Sequence, residues 1–364
     1  MKVKLIETYR VAVPLKKPFK TALRTLTVAE SVVVKITADD GKIGYGEAPP
    51  THVITGDSMA SIEAAINDVM APKLLNYSIL DREQLFYLLH SSMERNTSAK
   101  AAIDSAIYDL LAQHANLPLY QFLGGNRSQF TTDYTVSVNE PEEMAEDASQ
   151  FLQDGFRVLK IKVGIGSIQQ DIDRIRAIRE KVGMDCQLRL DANQGWTAKE
   201  AVYAIRKMED AGFDIELVEQ PVPAHDIVGL KQVTDHTSIP IMADESVFTP
   251  QDAINVLQTR SADLINIKLM KSGGIHQALT INKLAEAYGV LCMVGSMIET
   301  KIGITTASHF AASQRNITRF DFDAPLLLSR DIVQGGVQFE SEKMFLLNTP
   351  GLGITEIIGL NSVD

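Results

Sequence analysis

Residues 187–244 contain three short apolar runs that each end in an acidic residue: Gln187-Leu-Arg-Leu-Asp191, Ile215-Glu-Leu-Val-Glu219 and Ile241-Met-Ala-Asp244. Their length and composition are typical of β-strands, and a polar turn and a helical pattern follow each of them. The acids lie 28 and 25 residues apart, close to the roughly 30 residues of one strand-helix-strand unit. Because the carboxyl ends of neighbouring parallel strands meet at one edge, the spacing predicts that the three carboxylates lie close together.

The same period continues on both sides of these runs, at intervals of 24 to 29 residues. Strand-like centres recur near Tyr134, Ile161, Leu190, Val218, Ala243, Ile267, Met293 and Asp321. Amphipathic helical patterns lie between them, for example at residues 171–182, 198–208 and 250–257. Eight such strands predict an α/β fold, a (β/α)8-type barrel over residues 126–329.

The segment before residue 126 lacks this period. It has a strand-like run at residues 31–36, a turn at Asp39-Asp40-Gly41 and a helix-rich stretch at residues 98–114. A barrel takes about 250 residues, which leaves room for a second domain in a chain of 364 residues. We therefore expect an α+β capping domain at residues 1–125, joined by the C-terminal tail from about residue 330 to 364.

Composition excludes several classes of function. A net charge of −11 and the lack of any Lys/Arg-rich run argue against nucleic-acid binding. No signal-peptide core is present at the N-terminus, and no apolar run reaches the roughly 18 residues of a membrane span. Cys186 and Cys292 lie inside apolar, strand-like runs, which suits buried thiols in a reducing compartment. We expect a cytoplasmic protein without membrane or nucleic-acid partners.

Lysines accompany the acids on neighbouring strands. Alternate side chains of a strand point to the same side, so Lys160 and Lys162 should both face the barrel axis, as should Asn266 and Lys268. Lysines inside a packed barrel are costly unless they serve a function. Since the second and sixth strands lie far apart around an eight-stranded ring, Lys162 and Lys268 are expected to face each other across the site.

The three acids supply oxygen ligands only. Without thiolate or imidazole, Asp191, Glu219 and Asp244 favour Mg²⁺ over zinc. Any one of them, taken alone, is more often a structural or solvated carboxylate. As a regularly spaced set flanked by inward lysines, they predict one metal ion between two opposed bases.

These residues resemble a known family. Lys160-Ile-Lys162, Asp191-Ala-Asn193, Glu219-Gln220-Pro221, Asp244-Glu245 and Lys268 are similar to the muconate-lactonising-enzyme subgroup of the enolase superfamily. Within it, four further stretches resemble the dipeptide epimerases that act on L-Ala-D/L-Glu: Phe19-Lys-Thr21-Ala-Leu-Arg24-Thr, Val53-Ile-Thr-Gly-Asp57-Ser, Gly295-Ser-Met-Ile-Glu-Thr and Asp321-Phe-Asp323-Ala-Pro. The resemblance extends over essentially the whole chain and implies an enolase-like barrel with a cap.

The resemblance also implies roles for the candidate residues. It implies that Asp191, Glu219 and Asp244 bind Mg²⁺, and that Lys162 and Lys268 exchange protons with opposite faces of the substrate α-carbon through a metal-stabilised enediolate. The implied substrate contacts are Lys160 at the carboxylate, Asp321 and Asp323 at the alanine ammonium, Thr135, Ser296 and Ile298 along the channel, and Arg24 at the glutamate side chain. The implied partner is a dipeptide, in a homo-oligomeric enzyme of cell-wall peptide recycling.

Other interpretations remain open at this point. An N-acylamino acid racemase, an o-succinylbenzoate synthase or a cycloisomerase of the same subgroup would share the fold, and a lyase needs only one of the two lysines. A barrel that binds metal without catalysis would be expected to lose a lysine or a ligand. Individually, Lys160 could reach solvent from a strand end, Asp321 and Asp323 could cap the next helix, and Arg24 could be an exposed loop cation.

Overall fold

The first three strands form an antiparallel sheet in the computed structural model, which describes residues 1–360. They are β1 (Val3–Lys20), β2 (Thr25–Ala38) and β3 (Ile43–Ala48), in that order across the sheet. The β2–β3 turn includes Gly41, whose φ of 85° lies in the left-handed region that glycine enters without strain. This turn coincides with the one predicted at Asp39-Asp40-Gly41.

Helices follow this sheet along the chain, and the first and the longest of them pack against it. They are α1 (Met59–Ala64), a π-helical segment (Ala65–Met70), α2 (Ala71–Leu74), α3 (Arg82–His90), α4 (Thr97–His114) and α5 (Leu119–Phe122). Strand β3 lies directly on α4, because Gly44 and Gly46 have no side chain. A Cβ atom at these positions would stand 2.2 Å from Ala106 O and 1.9 Å from Ala102 O. The two glycines therefore permit a backbone contact that any other residue would prevent.

A second sheet contains eight parallel strands in chain order, and the short strand β4 (Gln129–Thr131) precedes it. Its strands are β5 (Tyr134–Val136), β6 (Val158–Lys162), β7 (Gln187–Asp191), β8 (Ile215–Glu219), β9 (Ile241–Ala243), β10 (Leu264–Ile267), β11 (Leu291–Val294) and β12 (Ile317–Phe320). Asp133 N, just before β5, donates to Phe320 O in β12 at 3.3 Å. The sheet thus curls until its first and last strands meet, which confirms the predicted barrel.

Helices follow the strands of the barrel, and all but the last of them connect successive strands. They are α6 (Pro141–Gln153), α7 (Ile168–Val182), α8 (Ala198–Asp210), α9 (Ile227–His236), α10 (Pro250–Thr259), α11 (Leu269–Ser272), α12 (Ile275–Ala287), α13 (Lys301–Ser313) and α14 (Ala324–Leu327). Within residues 1–360, β12 is followed only by the four-residue α14 and not by a full-length eighth helix.

Local sequence signals fix where several of these helices begin. Thr197 accepts a hydrogen bond from Glu200 N, and the Glu200 side chain accepts one from Thr197 N, so two donors at the start of α8 are satisfied. Thr249 and Asp252 form the same reciprocal pair at α10, and Ser167 begins α7 in this way. These reciprocal pairs are capping boxes, and each fixes where the loop after a barrel strand ends and the next helix begins.

The prediction that the eighth strand is centred near Asp321 is wrong, because β12 ends one residue before it. Asp321 N still donates to Val294 O at 3.0 Å. Phe322 N instead donates to Thr132 Oγ1 at 2.8 Å, outside the strand ladder. The strand therefore ends at Phe320, and Asp321 begins the turn into α14.

The chain after the barrel forms four short strands, β13 (Val333–Gly335), β14 (Gln338–Glu340), β15 (Lys343–Phe345) and β16 (Ile354–Ile357). An apolar cluster joins Val333 and Ile357 of this tail to Val13, Ala29 and Val33 of the N-terminal sheet. Residues 361–364 of the predicted tail lie outside the described residues. The division of the chain into domains stays a prediction. None of the helices within residues 1–360 has the length and hydropathy that crossing a membrane requires.

Candidate active site

The interior of the barrel is layered because side chains alternate along each strand. A lower apolar layer consists of Leu217, Met242, Leu264 and Met293, all at most 5% exposed. Two residues farther along three of these strands come the polar side chains Glu219, Asp244 and Asn266. Asn266 Nδ2 donates to Glu219 Oε1 at 2.8 Å. The site therefore has an apolar floor and polar groups at the carboxyl ends of the strands.

Lys160 lies at the centre of the polar layer. Its side chain on β6 is 1% exposed and points into the barrel, the direction that strand alternation predicts. The Nζ atom lies 2.8 Å from Asp321 Oδ2, 2.9 Å from Glu219 Oε2 and 3.1 Å from Asp191 Oδ2. Burial lowers the pKa of Lys160, but these carboxylates outweigh it and raise the pKa well above its usual range. The structure therefore excludes the alternative in which Lys160 reaches solvent from the end of its strand.

The two lysines predicted to oppose each other line one cavity, and each is paired with a different acid. Lys162 Nζ lies 2.6 Å from Asp191 Oδ2. Lys268, the residue after β10, has its Nζ 2.7 Å from Asp244 Oδ2. The structure thus brings together two ammonium groups from the second and sixth barrel strands, each 8% exposed or less.

A further lysine was not predicted. Lys271 in α11 is 1% exposed, and its Nζ lies 2.6 Å from Asp244 Oδ1. It also donates to three backbone oxygens: Val247 O at 3.0 Å, Asn266 O at 3.1 Å and Asp244 O. Because Lys271 follows the strand and belongs to no alternating pattern, strand periodicity did not identify it. The available signal was a charged residue directly after the apolar pair Leu269-Met270.

The acids of the site differ in electrostatic state. Burial raises the pKa of Asp191, yet Lys162 and Lys160 lower it to about 2. Asp244 is held well below its usual pKa by Lys268 and Lys271, again against burial. Glu219 behaves oppositely, because burial and the charge of Asp191 raise its pKa to about 7. The neighbouring lysines thus hold Asp191 and Asp244 in the ionised form, whereas burial and like charge favour the neutral form of Glu219.

The residues fit a hard divalent cation by donor chemistry. Asp191, Glu219 and Asp244 supply oxygen atoms alone, in the order of adjacent strands. Glu219 Oε2 and Asp244 Oδ1 are buried without a hydrogen bond, although each contacts an ammonium group. Across residues 1–360, no three His, Cys, Asp or Glu side chains converge as a ready metal cage. Each of the three acids instead contacts at least one lysine ammonium group.

The N-terminal part of the chain forms one side of the site. Both parts of the chain contribute to one cavity of about 50 Å³. From the N-terminal part come Phe19, Thr21, Leu23, Arg24 and Ile54, and from the barrel come Thr135, Lys160, Lys162, Asn193, Lys268, Ser296, Met297, Ile298, Asp321 and Asp323. Every residue predicted to contact substrate lines this cavity. Phe19, Leu23, Ile54 and Met297 were not among the predicted site residues, since apolar side chains carry no chemical signal in sequence.

Two charged residues lie apart from the lysine cluster. Arg24 is half-buried, and burial without any compensating charge lowers its pKa. Asp323 makes no capping bond to α14, so the capping alternative fails. Instead its Oδ2 accepts a hydrogen bond from Thr135 N at 2.7 Å. Burial and the neighbouring Asp321 raise the pKa of Asp323 to about 7. The cavity thus presents an unpaired cation and a group of carboxyls.

Comparison with known families defines the class of protein. Residues 5–124 match the N-terminal domain of mandelate racemase and muconate lactonizing enzyme, and residues 143–356 match the enolase C-terminal domain-like family. The barrel with acids and lysines at its strand ends agrees with both. The chain therefore belongs to the mandelate racemase and muconate lactonizing enzyme family of the enolase superfamily.

Individual relatives are more specific. The chain is 63% identical over 354 residues, 97% of each chain, to the L-Ala-D/L-Glu epimerase of Bacillus subtilis (strain 168). A substrate-liganded complex of the L-Ala-D/L-Glu epimerase from Bacillus subtilis has a TM-score of 0.98 at 62% identity, covering 98% of this chain and 99% of that one. The dipeptide epimerase from Enterococcus faecalis V583, complexed with Mg and L-Leu-L-Tyr, has a TM-score of 0.95 at 46% identity, covering 98% and 100%.

Proposed function

We propose that the protein is a Mg²⁺-dependent dipeptide epimerase that interconverts L-Ala-D-Glu and L-Ala-L-Glu. The chain is an epimerase of the enolase superfamily, as its family and its 63% identity to such an enzyme indicate. The observation that carries the proposal is the pair Lys162 and Lys268, two buried ammonium groups in one cavity that are held by different acids. Inversion at a carbon atom needs a base on one face and an acid on the other, and this pair supplies both.

Proton transfer is the chemical task of the two lysines. In one direction a neutral Lys162 Nζ takes the α-proton of the second residue, and the Lys268 ammonium delivers a proton to the opposite face. In the other direction the roles are exchanged, so no proton is gained or lost overall. Lys268 lies beside Asp244, which raises its pKa against the effect of burial, and it serves as a base only when another cation takes up the charge of that acid.

Removal of the α-proton places a second negative charge on the adjacent carboxylate. When bound by Asp191, Glu219 and Asp244, one Mg²⁺ ion would stabilise this charge as a Lewis acid. Lys160 contributes a fixed ammonium group at the same place, already oriented by its three carboxylate contacts. Because that group needs no reorganisation during the reaction, its stabilisation is large in a buried site.

The two ends of the substrate are matched by opposite charges. Asp321 and Asp323 present carboxyl groups for the ammonium group of the N-terminal alanine. Arg24 presents an unpaired guanidinium for the side chain of the glutamate. Thr135, Ser296 and Ile298 line the cavity and are assigned to the substrate channel. The carboxyl pair favours an amine over the uncharged or anionic groups that a cycloisomerase or succinylbenzoate synthase would bind.

Deuterium incorporation tests the reaction class directly. Wild-type protein with Mg²⁺ in D₂O should place deuterium at the α-carbon of the glutamate in both L-Ala-L-Glu and L-Ala-D-Glu, and chiral separation should show both epimers from either starting compound. Exchange confined to one epimer would indicate a one-base enzyme such as a lyase. A binding protein would give no exchange, and either result would refute the proposal.

The Arg24→Met variant tests the glutamate assignment. The cationic end is lost while the stem remains, so kcat/KM for L-Ala-L-Glu should fall about thirtyfold more than for L-Ala-L-Leu. This ratio corresponds to about 2 kcal/mol, the typical contribution of a charge-assisted hydrogen bond shielded from water. Arg95→Met, at an exposed position of the same part of the chain, serves as the matched control. Equal losses on both dipeptides, or a wild-type preference for apolar second residues, would remove the glutamate assignment.

We further propose that the protein works in the cytoplasm. Both cysteines are free and buried, which supports a reducing, cytoplasmic location. The substrate class supports a role in recycling cell-wall peptides.

A further inference from the structure

One wall of the cavity is attached to the N-terminal sheet by a buried carboxylate. The wall is the loop of residues 295–300 between β11 and α13, which contributes Ser296, Met297 and Ile298. Glu47 in β3 is 1% exposed and accepts three hydrogen bonds at the end of this loop. They come from Thr300 N at 2.8 Å, Thr300 Oγ1 at 2.7 Å and Gly303 N at 2.8 Å. All three donors belong to the segment that starts α13.

Side-chain oxygen atoms of the loop also accept hydrogen bonds from backbone N–H groups nearby. Glu299 Oε1 accepts from Met297 N at 2.8 Å, and Thr300 Oγ1 accepts from Ile302 N at 3.2 Å. The first N–H groups of a helix have no partner within the helix and attract negative charge. Here a carboxylate from a distant strand supplies that partner. Consequently the position of the cavity wall depends on where β3 holds Glu47.

Packing leaves little freedom at this contact. A Cβ atom on Gly303 would stand 2.1 Å from Glu299 Oε2 and 3.2 Å from Glu47 Oε2, so both carboxylates lie against the same glycine. Glu47 itself is held by the sheet, where it pairs with Val33 of β2. A second contact lies nearby, because Ile54 packs against the apolar cluster that contains Met297. The N-terminal part of the chain thus touches the loop at two points.

We propose that Glu47 is a positioning residue, which fixes the Ser296–Ile298 wall from the N-terminal sheet and thereby sets how well the cavity fits the dipeptide. Its consequence for substrate rests on the proposed function, whereas the contact itself does not. Glu47 does not line the cavity and acts through the loop.

Hydrogen exchange tests the contact without any substrate. Glu47→Gln preserves size but replaces one acceptor oxygen with an amide NH₂, which cannot accept from Thr300 or Gly303. Amide exchange across residues 297–303 should become about tenfold faster or more, because local opening requires breaking fewer hydrogen bonds. Exchange at residues 158–162 should not change. Glu30→Gln, at an exposed position of β2, is the matched control, and unchanged exchange at 297–303 in the Glu47 variant would overturn the proposal.

Kinetics test the consequence. We expect Glu47→Gln to raise KM for L-Ala-L-Glu about tenfold while kcat changes less than about threefold, since the wall contacts substrate and the lysines remain in place. Thr300→Val removes the hydroxyl partner and should act similarly, and the double variant should be little worse than either single variant. A lowered Tm with unchanged KM would mean a purely structural role and refute the positioning role. An inactive wild type would refute the proposed function alone, because hydrogen exchange decides the contact by itself.

Discussion

Lys162→Ala and Lys268→Ala are each expected to abolish epimerisation in both directions, by about a thousandfold or more in kcat. General acid–base catalysis by one positioned group contributes up to about ten-thousandfold, and inversion fails when either face loses its group. Each variant should still exchange the α-proton of one epimer with solvent, and the two variants should differ in which epimer they exchange. Chiral separation of the products and mass spectrometry in D₂O measure these two quantities.

Lys199→Ala provides the control, because Lys199 is exposed on α8, away from the cavity. It should retain wild-type rates. Loss of activity in a site variant is meaningful only if the variant is folded, which circular dichroism and the unfolding midpoint establish. Persistent epimerisation by either lysine variant would show that the two-base assignment is wrong, while loss of exchange from both epimers in one variant would assign that lysine a binding role instead.

Glu219→Gln is expected to weaken Mg²⁺ binding by about a hundredfold or more and to eliminate turnover. Even partners that only touch a metal ligand contribute ten- to a hundredfold to affinity, so loss of a ligand should cost at least the upper figure. This position is the best choice for testing the metal site. Burial and the charge of Asp191 raise the pKa of Glu219 to about 7, so a neutral glutamine costs less here than at Asp191 or Asp244, whose pKa values the lysines lower.

Asp244→Asn tests the same site at greater risk to the fold. Its carboxylate pairs with both Lys268 and Lys271, and breaking a buried ion pair typically costs about 3 to 5 kcal/mol. Calorimetric titration of Mg²⁺ gives the affinity of each variant, with the exposed Glu180→Gln as the control. Wild-type protein should lose activity in excess chelator and recover it with added Mg²⁺. Unaltered Mg²⁺ affinity in both variants, or full activity with chelator, would rule out the three-acid metal site.

Much of the architecture could be predicted because its causes are local. Side chains alternate along a strand because the backbone is extended. Lys160 and Lys162 are two residues apart, so both could be predicted to point into the barrel. The regular interval of 24 to 29 residues reflects one strand-helix-strand unit. These two periods identified the barrel, which the structure confirms, and the strand ends that carry the acids and lysines. The roles of those residues remain predictions.

The failures have equally clear causes. The eighth strand was centred on Asp321, one residue beyond its end at Phe320, because a strand boundary depends on which hydrogen-bond partner is available and not on hydrophobicity. The Mg²⁺ site at the three acids stays a prediction, but the salt bridges that these acids form with lysines were not predicted. Opposite charges brought together in a buried site attract strongly, and spacing along the chain does not say which pairs will form.

By itself, the amino-acid sequence determined the repeat, the faces of the strands and the kinds of chemical groups at their ends, since these depend on neighbours a few residues away. Only the tertiary structure decided which groups touch. Glu47 meets Thr300 across 253 residues of chain, and Lys271 reaches Asp244 from a helix that has no strand pattern. Such contacts arise when distant elements pack together and buried polar groups must find partners. These contacts form only when the whole chain has folded, and no short stretch of sequence indicates them.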